Sequence, residues 1–154
     1  MSRSPLNVRE AIAKDAPAIQ ALYRQLVGNP YVLVLPERIT SVGQDPMTKL
    51  LVAEAEGLVV GTVLVSLCSD VMFQNQPFAV VENVVVSAAH RNDGIGASLL
   101  REVERICQSA ECSKIMLLSS AARTEAHRFF ERAGYAGTSK KGFVKYRRQF
   151  GIGE

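Results

Sequence analysis

The sequence predicts an α/β (α+β) fold in which a mixed, mostly antiparallel central sheet is flanked by helices, and three observations carry that reading. Two β-rich runs, over 49–55 and 58–67, are separated only by Glu56 and Gly57, the signature of a tight antiparallel hairpin. A nearly continuous run of valine and phenylalanine over 78–86 reads as a central strand buried on both faces. A glycine-containing loop then leads into a stretch with apolar Leu99, Leu100, Val103, Ile106 and Cys107 on one helical face and Arg101, Glu102, Glu104, Arg105 and Gln108 opposite.

The remaining elements follow in chain order. Residues 6–11 read as a first strand, and Asp15 as the N-cap of a helix whose apolar positions are Ala16, Ile19, Leu22, Tyr23 and Leu26. Pro17 fits there because the amides of the first helical turn have no intrahelical hydrogen bond to lose. Pro30, Pro36, Gly43 and Pro46 make the next stretch a loop, with a short helix over 36–42, of the kind that commonly lines a substrate pocket. Residues 70–77 form a polar turn, and 114–119 a short buried strand. Ala126, Phe129, Phe130 and Ala133 mark an amphipathic helix closed by Gly134, and two strands over 135–138 and 142–149 are expected to end the chain.

A chain of 154 residues with 47% hydrophobic and 21% charged residues is sized and composed as one globular domain, expected over 1–154. The net charge of +3 is modest, and its one concentration is Lys140, Lys141, Lys145, Arg147 and Arg148. That cluster reads as a solvated strand and turn, and with few aromatics and no recognition motif beside it, no nucleic-acid partner is expected. Cys68, Cys107 and Cys112 form no C-x-x-C pair and have no nearby histidine, so they read as reduced thiols, with neither a disulfide framework nor a metal site. The N-terminal segment lacks a signal peptide's apolar stretch, and no run approaches the ~18 apolar residues of a membrane span. A cytoplasmic protein without a membrane partner is the expectation.

The chemistry concentrates in VVENVVVSAAHRNDGIGASLL. Gly94 and Gly96 remove side chains from the start of a helix, so its free amides and its dipole can meet an anion, and Arg91 adds a cation three residues earlier. This is a phosphate cradle. It is not a Walker A loop, since no Gly-Lys-Ser/Thr follows. Nor is it a dinucleotide fingerprint, because the third glycine is missing and the strands before it form an antiparallel meander. His90 sits just ahead of Arg91, either as a turn residue or as a site residue.

Arg91, Asn92, Asp93, Gly94, Ile95 and Gly96 resemble the Arg/Gln-x-x-Gly-x-Gly/Ala acetyl-CoA loop of the GNAT superfamily of N-acetyltransferases. The likeness extends to the VAEAEGLVVG hairpin, the NVVV strand and the AHRFFERAGY helix and turn, which follow in the family's order. It implies the GNAT acyltransferase fold and acetyl-CoA as cosubstrate. Pyrophosphate would be held by the loop and Ala97, and pantetheine would lie between strands that splay over 82–86 and 115–119. Val84, Val85, Val86 and Ser119 would then border the pantetheine, the Val84 amide would hold the oxyanion, and Arg123 and Phe130 would lie toward the far end of CoA. Many relatives carry Asn where Arg123 stands, so this arginine is either a phosphate contact or a solvated helix start. A homodimer is expected by analogy with the family.

An alkylammonium with a pKa of about 10 must lose a proton before it attacks a thioester. Glu82 is the acid inside the apolar strand, and it reads as a general base acting through water or as half of a structural ion pair. Strand alternation turns Asn83 to the opposite face from Glu82. Many relatives have a tyrosine at Phe130 that protonates the departing thiolate; here water, Tyr135 or the attacking ammonium is left to do so, or Phe130 serves only as core. His127 reads as a surface histidine.

The segments AHRFFERAGY and DPMTKLLVAEAEGLVVG are most similar to aminoalkylphosphonate N-acetyltransferase and related acetyltransferases of small amines. Arg24, Arg38 and Lys49 are the cations available to an anionic acceptor, or simple surface charges. Acetylation of a small primary amine is the leading expectation, a protein N-terminus or lysine the other acceptor, and a catalytically silent acyl-CoA sensor the rival class.

Overall fold

The computed structural model describes residues 5–153; residues 1–4, the start of the segment read above for a leader, and Glu154 lie outside it. The chain divides into two compact units, Met1–Leu117 and Leu118–Glu154.

The first unit is built on a five-stranded sheet: β1 (Asn7–Glu10), β2 (Thr48–Ala55), β3 (Leu58–Cys68), β4 (Phe78–Val86) and β5 (Ile115–Leu117), in that spatial order. The first three pairings are antiparallel and the β4–β5 pairing is parallel, so the sheet is mixed as expected. Glu56 and Gly57 join β2 to β3 with φ values of 52° and 79°, the backbone that a two-residue hairpin requires at both positions.

Helices cover both faces. α1 (Ala16–Leu26) and α2 (Pro36–Gly43) bury Ala16, Ile19 and Ile39 against Val52 on one face. α3 (Ile95–Ser109) buries Ile95, Leu99, Val103 and Cys107 against Leu51, Ala53, Val63, Val65, Ala79 and Val81 on the other. Gly61 permits that approach, since a Cβ there would stand 3.0 Å from Ile95 Cγ2 and 3.1 Å from Leu99 Cδ1. Thr62 is fully buried, and its hydroxyl donates to the Leu51 carbonyl at 2.7 Å.

Asp15 precedes α1 as expected, but its side chain does not cap that helix. It accepts the Ile12 amide at 2.8 Å and both terminal nitrogens of Arg9 at 2.8 and 3.0 Å, while Arg9 Nε reaches Glu54 at 2.9 Å. The Asp15 carboxyl is 4% exposed, and the Arg9 guanidinium holds it below the usual carboxylate range. This ion pair ties the start of α1 to the outer strands.

The second unit holds α4 (Thr124–Arg132), with Gly134 just beyond its end at φ 96°. Phe130 is buried, with the rings of Phe129 and Tyr135 at centroid distances of 5.2 and 6.3 Å. The two terminal strands expected from the sequence are absent among the described residues: 136–146 carry no regular structure, and a single 3₁₀ turn spans Arg147–Gln149. β-propensity becomes a strand only where a ladder partner exists, and Phe143, Val144 and Tyr146 stand exposed instead.

Candidate active site

Two features of β4 create the site. The first is the end of its pairing with β5. The register runs Ala79 with Ile115, Val80 with Met116 and Val81 with Leu117, and stops there. β5 is thus shorter than the expected 115–119, and Glu82 is the first β4 residue beyond the pairing.

The second feature is a bulge. β3 and β4 pair Thr62 with Val85 but Leu64 with Glu82, so Asn83 and Val84 together oppose Val63. Asn83 takes φ 57°, a left-handed conformation that asparagine tolerates better than most residues. The bulge reverses the direction of the backbone groups. Ahead of it, the Ala79 amide donates toward the β5 side, to Lys114, at 3.0 Å; beyond it, the Ser87 amide donates to Val60 of β3 at 2.8 Å. Odd-numbered residues therefore face β5 before the bulge and β3 after it. Val84 and Val86 turn their amides and carbonyls to the side β5 has left, whereas Val85 turns its own toward β3.

The same bulge corrects two expectations about side chains. Glu82 is exposed, not buried in an apolar strand, and Asn83 is exposed beside it. Glu82 pairs with Leu64, whose neighbours Val63 and Val65 face α3, so Glu82 lies on the α1 face. Asn83 is the extra residue of the bulge, at φ 57°, so the strict alternation that would turn it away from Glu82 does not hold there.

The cradle follows within a few residues. Ala88–His90 make one 3₁₀ turn, Asn92 and Gly94 take φ values of 69° and 76°, and α3 starts at Ile95. A Cβ at Gly94 would touch nothing, so glycine answers a need of conformation there, not of space. The first bond onto the helix is from the Ser98 amide to Gly94, at 3.1 Å, which leaves the amides of Ile95, Gly96 and Ala97 at its open end. Arg91, Asn92 and Asp93 are exposed around them, and Ile95 and Gly96 are buried. This chemistry fits a pyrophosphate. His90 is half-buried, and its Nδ1 is buried with no hydrogen-bond partner among the described residues.

In the second unit, Ser119 has a buried Oγ with no hydrogen-bond partner among the described residues, and Arg123 is exposed at the N-cap of α4. His127 is not a free surface group: it is half-buried, with a ring nitrogen 2.8 Å from the Ser120 carbonyl. Of the cations weighed for an anionic acceptor, Lys49 is paired to Glu10 at 3.4 Å, Arg38 bonds Ser41 at 3.3 Å, and Arg24 is exposed.

The sequence reading missed one group. Cys107 and Cys112 line a cavity of about 260 Å³ at the far end of α3, with Glu104, Gln108, Lys114 and Ile115. Burial pushes the Cys107 thiol up to about 12. The i, i+5 spacing of these cysteines across a helix end was the signal available.

The profile of the acetyltransferase (GNAT) family matches residues 18–135. The chain belongs to that family. Its fold is accordingly shared with solved acetyltransferases. A protein from Agrobacterium tumefaciens str. C58, named as a candidate acetyltransferase, superposes with TM-score 0.83 at 27% identity over 92% of this chain and 99% of that one. Glucosamine-6-phosphate N-acetyltransferase from Arabidopsis thaliana superposes with TM-score 0.78 at 22% identity, over 94% and 99%. An aminoglycoside N-acetyltransferase solved with CoA gives 0.79 at 18% identity, over 95% and 97%. The last two establish the shared fold only. Membership makes this chain an acetyltransferase by class, and acetyl-CoA is the cosubstrate of that class. Among the described residues, no helix is long and apolar enough to cross a membrane.

Proposed function

We propose that this GNAT protein transfers the acetyl group of acetyl-CoA to the primary amine of a small molecule, with Glu82 as general base through water. The observation that carries the reading is the end of the β4–β5 pairing at Val81, after which the backbone groups of Val84 and Val86 face away from β3, next to Glu82 and ahead of the Arg91 to Ala97 cradle.

In this reading the cosubstrate supplies an activated thioester, and the chain supplies position and proton transfer. The amides of Ile95, Gly96 and Ala97, with Arg91, hold the pyrophosphate. The gap beside β4 takes an extended pantetheine as an added strand, and the Val84 amide is aimed at the carbonyl oxygen that becomes negative. Glu82, exposed on β4, takes the ammonium proton through a water. The new carbon–nitrogen bond replaces the carbon–sulfur bond, and sulfur leaves as a thiolate, tolerable at a pKa of about 8.5 without a donor at Phe130. Ser119, Arg123 and Phe130 join the cosubstrate site on the family resemblance. The family match spans 18–135, across position 117, which supports reading 1–154 as one domain; the cytoplasmic location and the homodimer belong to this reading on the family resemblance alone.

Phe130 favours a second reading, a sensor that binds acetyl-CoA without turnover. Thiol release from acetyl-CoA, followed against small amines, aminoalkylphosphonates, amino sugars and peptides, separates the two. Turnover with one amine class, lost in Glu82→Gln, supports the enzyme. Tight binding without thiol release on any acceptor supports the sensor, and turnover with peptides alone moves the acceptor to protein amines.

A further inference from the structure

The C-terminal end of α3 carries a sulfur pair that the proposed acetyl transfer does not use. The helix closes on Ala110, and Glu111 follows in the left-handed region at φ 59°. The Glu111 amide donates to the Gln108 carbonyl at 3.0 Å, and the Cys112 amide to the Cys107 carbonyl at 2.9 Å. These two bonds around a left-handed residue make a Schellman cap, in which the side chain just past the turn commonly packs on the one that begins it. Here both of those positions are cysteine. Both side chains border the cavity of about 260 Å³, with Glu104, Gln108, Lys114 and Ile115. Cys107 is 3% exposed, Cys112 is half-buried, and both thiols are free.

We propose that Cys107 and Cys112 are a reversible disulfide site, oxidised by low-molecular-weight disulfides such as oxidised glutathione. The cap supplies the geometry. A backbone hydrogen bond of 2.9 Å between the two residues limits their Cα atoms to about 6.8 Å or less by bond lengths and angles, and disulfides span about 4.4–6.8 Å. The reaction is two exchanges. The Cys112 thiolate attacks one sulfur of the small disulfide and displaces the first small thiol; the Cys107 sulfur then attacks Cys112 and displaces the second. The two cysteine protons pass to the two departing thiolates, so one small disulfide becomes one protein disulfide and two small thiols. Cys112 is the point of entry because solvent reaches it, and Cys107 need meet no reagent but its neighbour. Burial pushes the Cys107 thiol up to about 12, so the second exchange is slow, on the order of minutes to hours, and proximity drives it rather than reactivity. Cys107 lies about 18 Å along α3 from Ile95 at the cradle, so the site stands whether or not the chain acetylates an amine.

Native protein freed of reductant is incubated with oxidised glutathione at pH 8, and the remaining thiols are blocked with iodoacetamide. The tryptic fragment over 106–114, bounded by Arg105 and Lys114, holds both cysteines and is weighed by mass spectrometry. The expected fragment carries no blocking group and is about 2 Da lighter than the dithiol form, through loss of two hydrogens. Cys68→Ser gives the same fragment, Cys107→Ser stops at glutathione on Cys112, and dithiothreitol restores the wild-type thiols. The same mixture in concentrated urea tests the cap. The ratio of internal disulfide to glutathione adduct is expected to be at least about tenfold higher in the native protein, because the cap holds the two sulfurs together. An equal ratio in urea overturns the proposal, and so does native wild type that stops at the adduct on Cys112, links Cys68 instead, or keeps both thiols. If Cys107→Ser fails to fold, the wild-type fragment and its ratio against urea decide.

Discussion

Replacing Asp15 by asparagine tests the buried anchor of the fold. The carboxylate is 4% exposed and accepts three hydrogen bonds, from the Ile12 amide at 2.8 Å and from Arg9 at 2.8 and 3.0 Å. Asparagine keeps the volume and one acceptor oxygen but loses the charge and at least one Arg9 bond. Breaking a fully buried pair costs about 3–5 kcal/mol. The Arg9 side chain is 25% exposed and keeps Glu54 at 2.9 Å, so roughly 2 kcal/mol is expected, or about 4–8 °C in Tm for a chain of this size. The dependence on pH has a fixed sign. Asp15 titrates lower in the folded protein than its unfolded value of about 3.9, so its contribution is full above that value and is lost as pH falls through the folded pKa. Thermal unfolding followed by circular dichroism should show a constant gap between wild type and Asp15→Asn from pH 7 to 5, narrowing below about pH 4. Equal melting temperatures at pH 7, or a gap that widens on acidification, would refute the argument.

Three other outcomes follow from packing and burial. Gly61→Ala pushes a Cβ to 3.0 Å from Ile95 and 3.1 Å from Leu99, and an overpacking loss of about 1–3 kcal/mol should appear in urea unfolding, with no loss meaning that α3 yields freely. Leu99→Ala, at a fully buried position of α3, should cost about 2–5 kcal/mol in the same assay, and a loss below 1 kcal/mol would contradict its place in the core. Cys107, with its thiol pushed up to about 12, should react with Ellman's reagent at pH 8 only after unfolding; rapid labelling of all three cysteines in the native protein would contradict its burial.

The elements legible in the sequence were those fixed by local chemistry. Glu56-Gly57 forces a hairpin turn because both positions need positive φ, and the apolar stripe of α3 announces itself over four turns. Gly94 was read as clearing a side chain from the helix start, whereas the structure uses it for its left-handed conformation, at φ 76°. What escaped depends on partners distant in the chain. The bulge at Asn83 is set by where β3 and β5 pair, so the alternation rule failed at the residue that matters most to the gap. Asp15 was recognised at a helix start, but the arginine six residues earlier reaches it only once β1 turns into α1. The terminal run around Phe143 has strand-forming residues without a ladder, which no local pattern reveals.

The central claim is that the cradle holds a pyrophosphate ahead of the gap in β4, and calorimetric titration tests it by comparing acetyl-CoA with S-acetylpantetheine, which lacks that group. The account predicts that acetyl-CoA binds at least about 100-fold more tightly, and that Arg91→Ala removes about tenfold of the difference, as expected for charge-assisted hydrogen bonds of about 1.5–3 kcal/mol each. Equal affinities for the two ligands, or a difference untouched by Arg91→Ala, would contradict it.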